Sequence, residues 1–79
     1  MNNKEMYNTI FKESFDIDDK MLNDKLIYQS IKAWDSVGHM TLMAALEDAF
    51  NIEMDMDDII DFSSYSIGLE TLKKYGVEL

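Results

Sequence analysis

The sequence contains no cysteine, no proline and no arginine, and it contains only three glycines. Without cysteine the chain has no disulfide, no cysteine-based metal site and no thiolate nucleophile of its own, which fits a reducing compartment. The scarcity of proline and glycine leaves helices uninterrupted and removes most signals for β-turns. These absences favour an all-α fold.

Long apolar runs are also missing. No stretch approaches the roughly 20 residues of a membrane span, and no charged N-terminal segment precedes an apolar one. The chain has 79 residues, about one small domain, and its 47% hydrophobic and 29% charged residues are typical of a globular protein. We therefore expect a single domain over residues 1–79 that is soluble and cytoplasmic and has no membrane partner.

Positive charge is scarce, since 16 acidic residues face only 7 lysines and leave a net charge of -9. Residues 33–72 hold nine of the acids and no lysine, whereas the rest of the chain is neutral overall. Such a negative field repels phosphate, so nucleic acid is a poor partner. An acidic region can simply be a solvated face, but its concentration in one stretch suggests a basic protein partner.

The N-terminal third predicts one helix and a long loop. Helical spacing favours a helix from about Asn3 to Phe15, capped by Asn2 or Asn3. Its predicted apolar face consists of Met6, Tyr7, Ile10, Phe11 and Ser14. Residues 16–32 have no sustained period, and we expect a loop held by buried anchors. The candidate anchors are Ile17, Met21, Leu22, Leu26, Ile27 and Ile31.

The second predicted helix has the clearest pattern and runs from Ser36 to about Phe50. Its core face is predicted to contain Leu42, Leu46 and Phe50, with Met43 and Ala49 beside them. The opposite face carries Val37, Thr41, Ala44 and Asp48, with Glu47 next to it. An apolar stripe with an acidic rim is typical of a binding surface, although scattered apolar residues on a surface need no explanation.

The C-terminal part predicts a short and a longer helix. A helical turn around residues 57–61 is expected to bury Ile59, Ile60 or Phe62. The last helix should start near Ser64 or Ser66 and end at Gly76. It is expected to bury Ile67, Leu69 and Leu72. The predicted fold is a small all-α four-helix bundle, with three longer helices, one short helix and a long loop between the first and second.

The sequence does not match the motifs for metal binding or catalysis that its residues suggest. EF-hand loops started at Asp16 or Asp55 lack the glycine and the glutamate that the loop needs, so we predict no dedicated metal site. His39 is the only histidine and has no nucleophile with which to form a catalytic pair, so we expect no enzymatic activity.

The segment Trp34-Asp35-Ser36-Val37-Gly38 opens the second helix. Ser36 lies where a loop meets a helix N-terminus, whose free N–H groups and positive dipole end stabilise an anion. A phosphodiester on Ser36 would be well placed. The alternative is that Ser36, or Asp35, is simply the N-cap of the helix.

Asp35-Ser36-Val37 followed by the run Met-Thr-Leu-Met-Ala-Ala-Leu-Glu-Asp-Ala-Phe-Asn-Ile resembles the acyl carrier protein family. The hallmark of that family is Asp-Ser-Leu at the start of the second helix. The first amphipathic helix, the long loop, the acidic Glu47-Asp48 pair and the Phe62-Ser63-Ser64 segment extend the likeness over nearly the whole chain.

The resemblance implies that Ser36 carries 4′-phosphopantetheine, placed there from coenzyme A by a phosphopantetheinyl transferase. It implies that Asp35 helps to position Mg²⁺ and phosphate at that transferase, and that the chain is a monomeric carrier of acyl or aminoacyl thioesters, as in fatty acid biosynthesis. Loading and acyl-transferring enzymes with basic patches would dock on one surface, formed by Val37, Thr41, Ala44, Glu47 and Asp48.

Three positions depart from the fatty-acid members of the family. Thr41 stands where those members have glutamate, Gly38 replaces an acidic or polar residue, and Trp34 precedes the motif. Trp34 and Gly38 are similar to specialised carriers of dedicated pathways, and we expect Gly38 to allow close approach by a partner or by the arm.

Two further alternatives stay open. The chain could instead be a noncovalent acidic helical adaptor that docks a basic protein. The four methionines around the second helix could fill gaps in a small core or form a deformable core that admits an acyl chain. These methionines are Met40, Met43, Met54 and Met56.

Overall fold

The computed structural model describes residues 2–79 and contains four α-helices. They are α1 (Asn3–Phe15), α2 (Ser36–Phe50), α3 (Met56–Asp61) and α4 (Tyr65–Lys74), with one turn of 3-10 helix at Asp19–Met21. The predicted bundle of three longer helices and one short helix is confirmed, as is the long loop between α1 and α2. The described residues form no β-strand beyond a single bridge between Ile27 and Ser64.

Side-chain caps define where the three longer helices begin. The side chain of Asn2 accepts a hydrogen bond from the Glu5 N–H at 2.8 Å, and Ser64 Oγ accepts one from the Ile67 N–H at 2.9 Å. These bonds satisfy N–H groups that the first turn of a helix cannot pair. They settle the two predicted alternatives in favour of Asn2 for α1 and Ser64 for α4. Beyond α4, Gly76 has a φ of 82°, a value that glycine adopts at little cost and that stops the helix.

The core is built around aromatic rings. Trp34, which directly precedes the N-cap of α2, is completely buried, and its ring lies 5.2 Å from that of Phe15 and 5.6 Å from that of Phe11. Tyr7 is also fully buried, and its hydroxyl donates to the Tyr65 carbonyl at 2.7 Å. Burial raises the pKa of the Tyr7 phenol, as does Tyr65, so the hydroxyl stays protonated and able to donate.

The loop of residues 16–32 is held by side-chain anchors and by its backbone. Three of the predicted anchors are partly buried against the core: Ile17, Leu22 and Ile31. Leu26 is buried, but Met21 and Ile27 are 38% and 48% exposed, so their prediction as buried anchors is wrong. The Leu26 carbonyl accepts from the Tyr65 N–H, and the Tyr28 N–H donates to the Ser63 carbonyl. Neighbouring side chains in extended backbone point to opposite sides, so Leu26 faces the core and Ile27 faces solvent.

Two predicted core residues of the helices also lie at the surface. The buried face of α2 contains Leu42, Met43 and Leu46, and Ala49 falls at its exposed edge. In α4 the buried positions are Tyr65, Gly68, Thr71 and Leu72, and Ile67 lies beside that face with 45% exposure. In both helices the packed face is rotated slightly from the face that hydrophobicity alone predicted.

The acidic stretch of residues 33–72 is partly balanced in space by lysines just beyond it. Lys74 Nζ lies 2.6 Å from an Asp58 oxygen, and Lys73 Nζ lies 3.6 Å from a Glu70 oxygen. The division between an acidic and a neutral region is therefore less sharp in the fold than along the chain. Within residues 2–79, no helix is long and apolar enough to cross a membrane.

Candidate functional site

Ser36 and Asp35 divide two tasks at the start of α2. Asp35 is the N-cap, and its Oδ1 accepts from the Gly38 N–H at 2.8 Å. Ser36 is the first helical residue and is exposed, and within residues 2–79 its hydroxyl has no hydrogen-bond partner. The reading of Ser36 as a capping residue is therefore wrong, and its hydroxyl is free for another use.

Gly38 allows the first turn of α2 to lie close to the backbone of the preceding loop. A Cβ at this position would lie 2.0 Å from the Ala33 carbonyl oxygen, far inside van der Waals contact. The close approach that the structure shows at Gly38 is by the chain's own backbone, where the loop folds tightly over the first turn of α2. Approach by a partner or by the arm stays a prediction. This tight turn places Trp34 in the core while leaving Ser36 outside it.

An open groove of about 360 Å³ begins at Ser36 and runs between α2 and α3. Its lining is mainly apolar. Besides Ser36, the groove is lined by Tyr28, His39, Met40, Met56, Ile59, Ile60, Phe62 and Ser63.

The four methionines divide between the core and the groove. Met43 and Met54 are buried and fill the core, whereas Met40 and Met56 line the groove and are 56% and 71% exposed. Filling gaps in the core therefore fits the buried pair. A deformable core that admits an acyl chain stays a prediction, and the exposed pair lies outside the core.

His39 connects three parts of the molecule. Its Nδ1 accepts a hydrogen bond from Trp34 Nε1–H at 2.9 Å, and its Nε2 lies 2.8 Å from the Ile59 carbonyl oxygen. A carbonyl can only accept, so this pair of contacts assigns the neutral form with the proton on Nε2. The ring is half-buried among Tyr28, Trp34 and Phe62, at centroid distances of 5.5, 6.2 and 6.2 Å.

The predicted partner-binding residues of α2 lie on one exposed stripe, with one exception. Val37 is 73% exposed, and Thr41, Ala44 and Asp48 are also exposed. Glu47 is instead half-buried and accepts from the Met54 N–H at 2.8 Å, so its carboxylate orders the segment that follows α2. Whether this stripe binds a partner stays a prediction.

The short helix α3 is attached to the end of α4 by a polar cluster. Asp58 receives hydrogen bonds from Lys74 Nζ at 2.6 Å and from the Tyr75 hydroxyl at 2.5 Å, and the Asp55 N–H donates to the same hydroxyl at 2.8 Å. Hydrogen bonds from Lys74 and Tyr75, followed by the Lys74 charge, hold the pKa of Asp58 below its usual value. The same contacts with Asp58 raise the pKa of Lys74.

Metal ligands do not gather in the part of the chain that the structure describes, where no group of three or more histidine or acidic residues could hold an ion. No family model, curated protein or solved structure matches the chain. The site must therefore be interpreted from its own geometry and from the motif around Ser36.

Sequence reasoning located Ser36 and the α2 stripe but missed the groove and the role of His39. Trp34 and His39 are five residues apart, a spacing that does not align side chains on a helix. Trp34 reaches His39 only because it lies before the helix, in the turn that Gly38 permits. The exposed methionines were the one signal in the sequence that could have indicated an apolar groove.

Proposed function

We propose that the chain is a carrier protein that holds acyl or aminoacyl intermediates as thioesters on a 4′-phosphopantetheine arm attached to Ser36. The observation that carries the proposal is the free, exposed Ser36 hydroxyl at the start of α2, beside an apolar groove. The resemblance of residues 35–52 to the acyl carrier protein family supports the same function. In this proposal the chain has no catalytic activity of its own.

The local chemistry suits attachment at Ser36. Ser36 Oγ forms a bond to the phosphorus that carries the pantetheine of coenzyme A. The pyrophosphate bond breaks, the nucleotide leaves with the other phosphate, and the hydroxyl proton passes to a base of the phosphopantetheinyl transferase. The N-terminal end of α2 stabilises the negative charge of the resulting phosphodiester. Asp35 caps the same turn, and we propose that its carboxylate also helps to position Mg²⁺ and phosphate at the transferase.

The attached arm supplies a thiol, which the chain lacks, and the thiol holds the cargo as a thioester. The thioester end of the arm can enter the apolar groove next to Ser36, where it is removed from water. Met40, Met56 and Ile60 are all more than half exposed, and covering such apolar surface is favourable by about 25 cal/mol per Å².

The exposed stripe of α2 is the proposed docking surface for the transferase and for loading and acyl-transferring enzymes. Val37 and Ala44 provide apolar contact, and Asp48 attracts the lysines and arginines of a basic patch. Attraction between exposed charges chiefly speeds encounter and sets orientation, which suits a carrier that must leave each enzyme after one step. We propose that the protein works in the cytoplasm as a monomer.

Incubation with coenzyme A and a transferase of broad specificity tests the proposal, with intact mass as the measurement. We expect one added 4′-phosphopantetheine on the wild-type chain and none on Ser36→Ala. Ser63→Ala is a matched control, because Ser63 is an exposed serine on the same groove, and this variant should be modified like wild type. An unmodified wild-type chain, or equal modification of Ser36→Ala, would overturn the proposal.

The alternative function, a noncovalent acidic adaptor, rests on the same exposed stripe. It predicts that Ser36→Ala keeps full activity in the cell and that Asp48→Lys loses it. The carrier proposal predicts complete loss for Ser36→Ala and only a partial defect for Asp48→Lys, because one exposed charge contributes about 0–1 kcal/mol.

A further inference from the structure

The groove beside Ser36 depends on α3, a helix with few stabilising contacts of its own. Helix α3 has six residues and no buried side chain, and its N-cap Asp55 makes no side-chain hydrogen bond to it. Isolated helices shorter than about 12 residues are marginal in water, so α3 stays formed because of what it touches. Yet Met56, Ile59 and Ile60 of this helix form one entire wall of the groove.

His39 is the contact that attaches this wall to the rest of the site. Its ring receives the Trp34 N–H on one nitrogen and donates from the other nitrogen to the Ile59 carbonyl. Trp34 is completely buried and lies two residues before Ser36. A single side chain therefore joins the backbone of α3 to the segment that presents Ser36.

We propose that His39 is a positioning residue for the groove: its neutral form holds the groove side of α3 in place, and its protonated form releases that side, while the Asp58 contacts still attach α3 to the end of α4. The neutral ring has one acceptor and one donor, which match Trp34 and Ile59. A second proton on Nδ1 would set an N–H against the Trp34 N–H, and two donors cannot bond to each other. The ring can then keep at most one of its two partners, and the connection between Trp34 and α3 is broken.

Loss of the connection has a cost because the Trp34 N–H is buried. No buried side-chain polar atom lacks a partner in the part of the chain that the structure describes. With protonated His39 the buried Trp34 N–H would lose its acceptor, and a buried donor without a partner is costly. Movement of the ring, and of α3 with it, relieves that cost.

The charged groups around His39 do not offer it a replacement partner. Tyr28 is the only other titratable side chain that lines the groove in residues 2–79. Asp58 of α3 is bonded to Lys74 and Tyr75, and Asp35 of the α2 cap is bonded to the Gly38 N–H. The remaining carboxylates of α3 and its N-cap, Asp55, Asp57 and Asp61, are exposed. None of these three carboxylates has a hydrogen bond to the His39 ring in the described residues.

The proposed carrier function is needed only to say that the arm and its cargo occupy the groove. The test of the His39 contact does not depend on it, because the test uses the unmodified chain. We compare wild type, His39→Gln and His39→Leu between about pH 8 and pH 5, the range in which histidine changes charge. Glutamine keeps one acceptor and one donor without titrating, whereas leucine keeps neither. The probe is N-phenylnaphthylamine, a neutral apolar dye, and the Trp34 indole N–H resonance is followed by NMR in parallel.

For wild type we expect dye affinity to fall as the pH is lowered, along the same curve as the change in the Trp34 resonance. The expected change is about two- to tenfold, which corresponds to a net hydrogen bond of about 0.5–1.5 kcal/mol. His39→Gln should bind like wild type at high pH and show no pH dependence. His39→Leu should bind weakly at every pH. Ile60→Asn, at the exposed lip of the groove, should weaken dye binding and leave the Trp34 resonance unchanged.

Two results would overturn the inference. One is a wild-type dye affinity that does not change with pH although the Trp34 resonance does. The other is a His39→Gln variant that keeps the wild-type pH dependence. A melting curve for each variant identifies any that fails to fold, and His39→Gln alone then decides the outcome. Failure of arm transfer to Ser36 would overturn the carrier proposal and leave all of these measurements unaffected.

Discussion

At the scale of single residues, the start of α2 works because adjacent side chains have separate tasks. Asp35 caps the helix, Gly38 accommodates the Ala33 carbonyl, and Trp34 anchors the turn in the core. Among these residues, the Ser36 hydroxyl makes no hydrogen bond within the described residues and so has no evident structural role. This division explains how the exposed Ser36 hydroxyl is held in a fixed place by a capped helix start and a buried tryptophan.

The first residue-scale prediction concerns Gly38→Ala. In most helices this change would stabilise the protein by up to about 1 kcal/mol. Here the new methyl group would overlap the Ala33 carbonyl oxygen, and overpacking of this kind costs about 1–3 kcal/mol. We expect a net fall in the free energy of unfolding, measured by urea denaturation.

Thr41→Ala is the matched control for that measurement, because Thr41 is exposed on the same helix. We expect it to change the free energy of unfolding by about 0.5 kcal/mol or less. A Gly38→Ala variant as stable as Thr41→Ala would show that the loop can move away from α2 at no cost.

At the scale of elements, α3 is the one α-helix of the described residues that has no buried side chain. It is fixed by the Asp58 cluster at the end of α4 and by His39 on the groove side. Elements with few buried apolar contacts open at low free energy, so α3 should open more readily than the other helices. Polar contacts with pH-dependent groups set how readily it does so.

The prediction for α3 concerns Asp58→Asn. Because the pKa of Asp58 is lowered in the folded state, its contribution is complete above the ordinary aspartate pKa of about 3.9 and is lost as the pH falls through the lower folded-state value. Near neutral pH, Asp58→Asn should speed hydrogen exchange of the α3 amides, since the amide carries no charge for Lys74. The effect should shrink as the pH is lowered through that window.

Asp57→Asn provides the control, because Asp57 is an exposed acid in the same first turn of α3. It changes the charge of the chain equally, and we expect α3 exchange to stay close to wild type. Equal effects of the two variants would mean that total charge, rather than the Lys74 and Tyr75 contacts, holds α3.

The exposed stripe of α2 gives a second prediction at this scale. Asp48→Lys should slow arm transfer by about fivefold or less, the factor that corresponds to about 1 kcal/mol or less for an exposed ion pair. Glu13→Lys changes the net charge equally on α1, away from the stripe, and should have a smaller effect. Initial transfer rates at low salt measure both, and equal slowing would indicate a nonspecific effect of charge.

At the scale of the whole molecule, the net charge of -9 opposes compact folding through self-repulsion. We expect the melting temperature to rise when salt is increased from low concentration to about 0.15 M, where charges are screened beyond about 8 Å. Mg²⁺ should raise it further by associating with the carboxylates of the folded chain. The double variant Asp48→Lys and Glu53→Lys should depend less on salt, and a melting temperature indifferent to both additions would contradict this prediction.

The sequence predicted the helices well because caps and helical periodicity are local signals, as for α1 and α2. It predicted burial less well where packing decides, and Ile27, Ala49 and Ile67 all proved exposed. The groove and the His39 to Ile59 contact arise from the position of α3 against α2. No local pattern encodes that arrangement, so the sequence could indicate Ser36 but not its surroundings.

Fragmentation of the modified wild-type chain tests the central claim most directly. After transfer from coenzyme A, trypsin should release residues 33–73 as one peptide, since no lysine or arginine lies between Lys32 and Lys73. We predict one 4′-phosphopantetheine on this peptide, retained by every fragment that contains Ser36 and absent from those that do not. A peptide without the added mass, or a modification located on Thr41, Ser63, Ser64 or Ser66, would contradict the assignment of Ser36 as the attachment site.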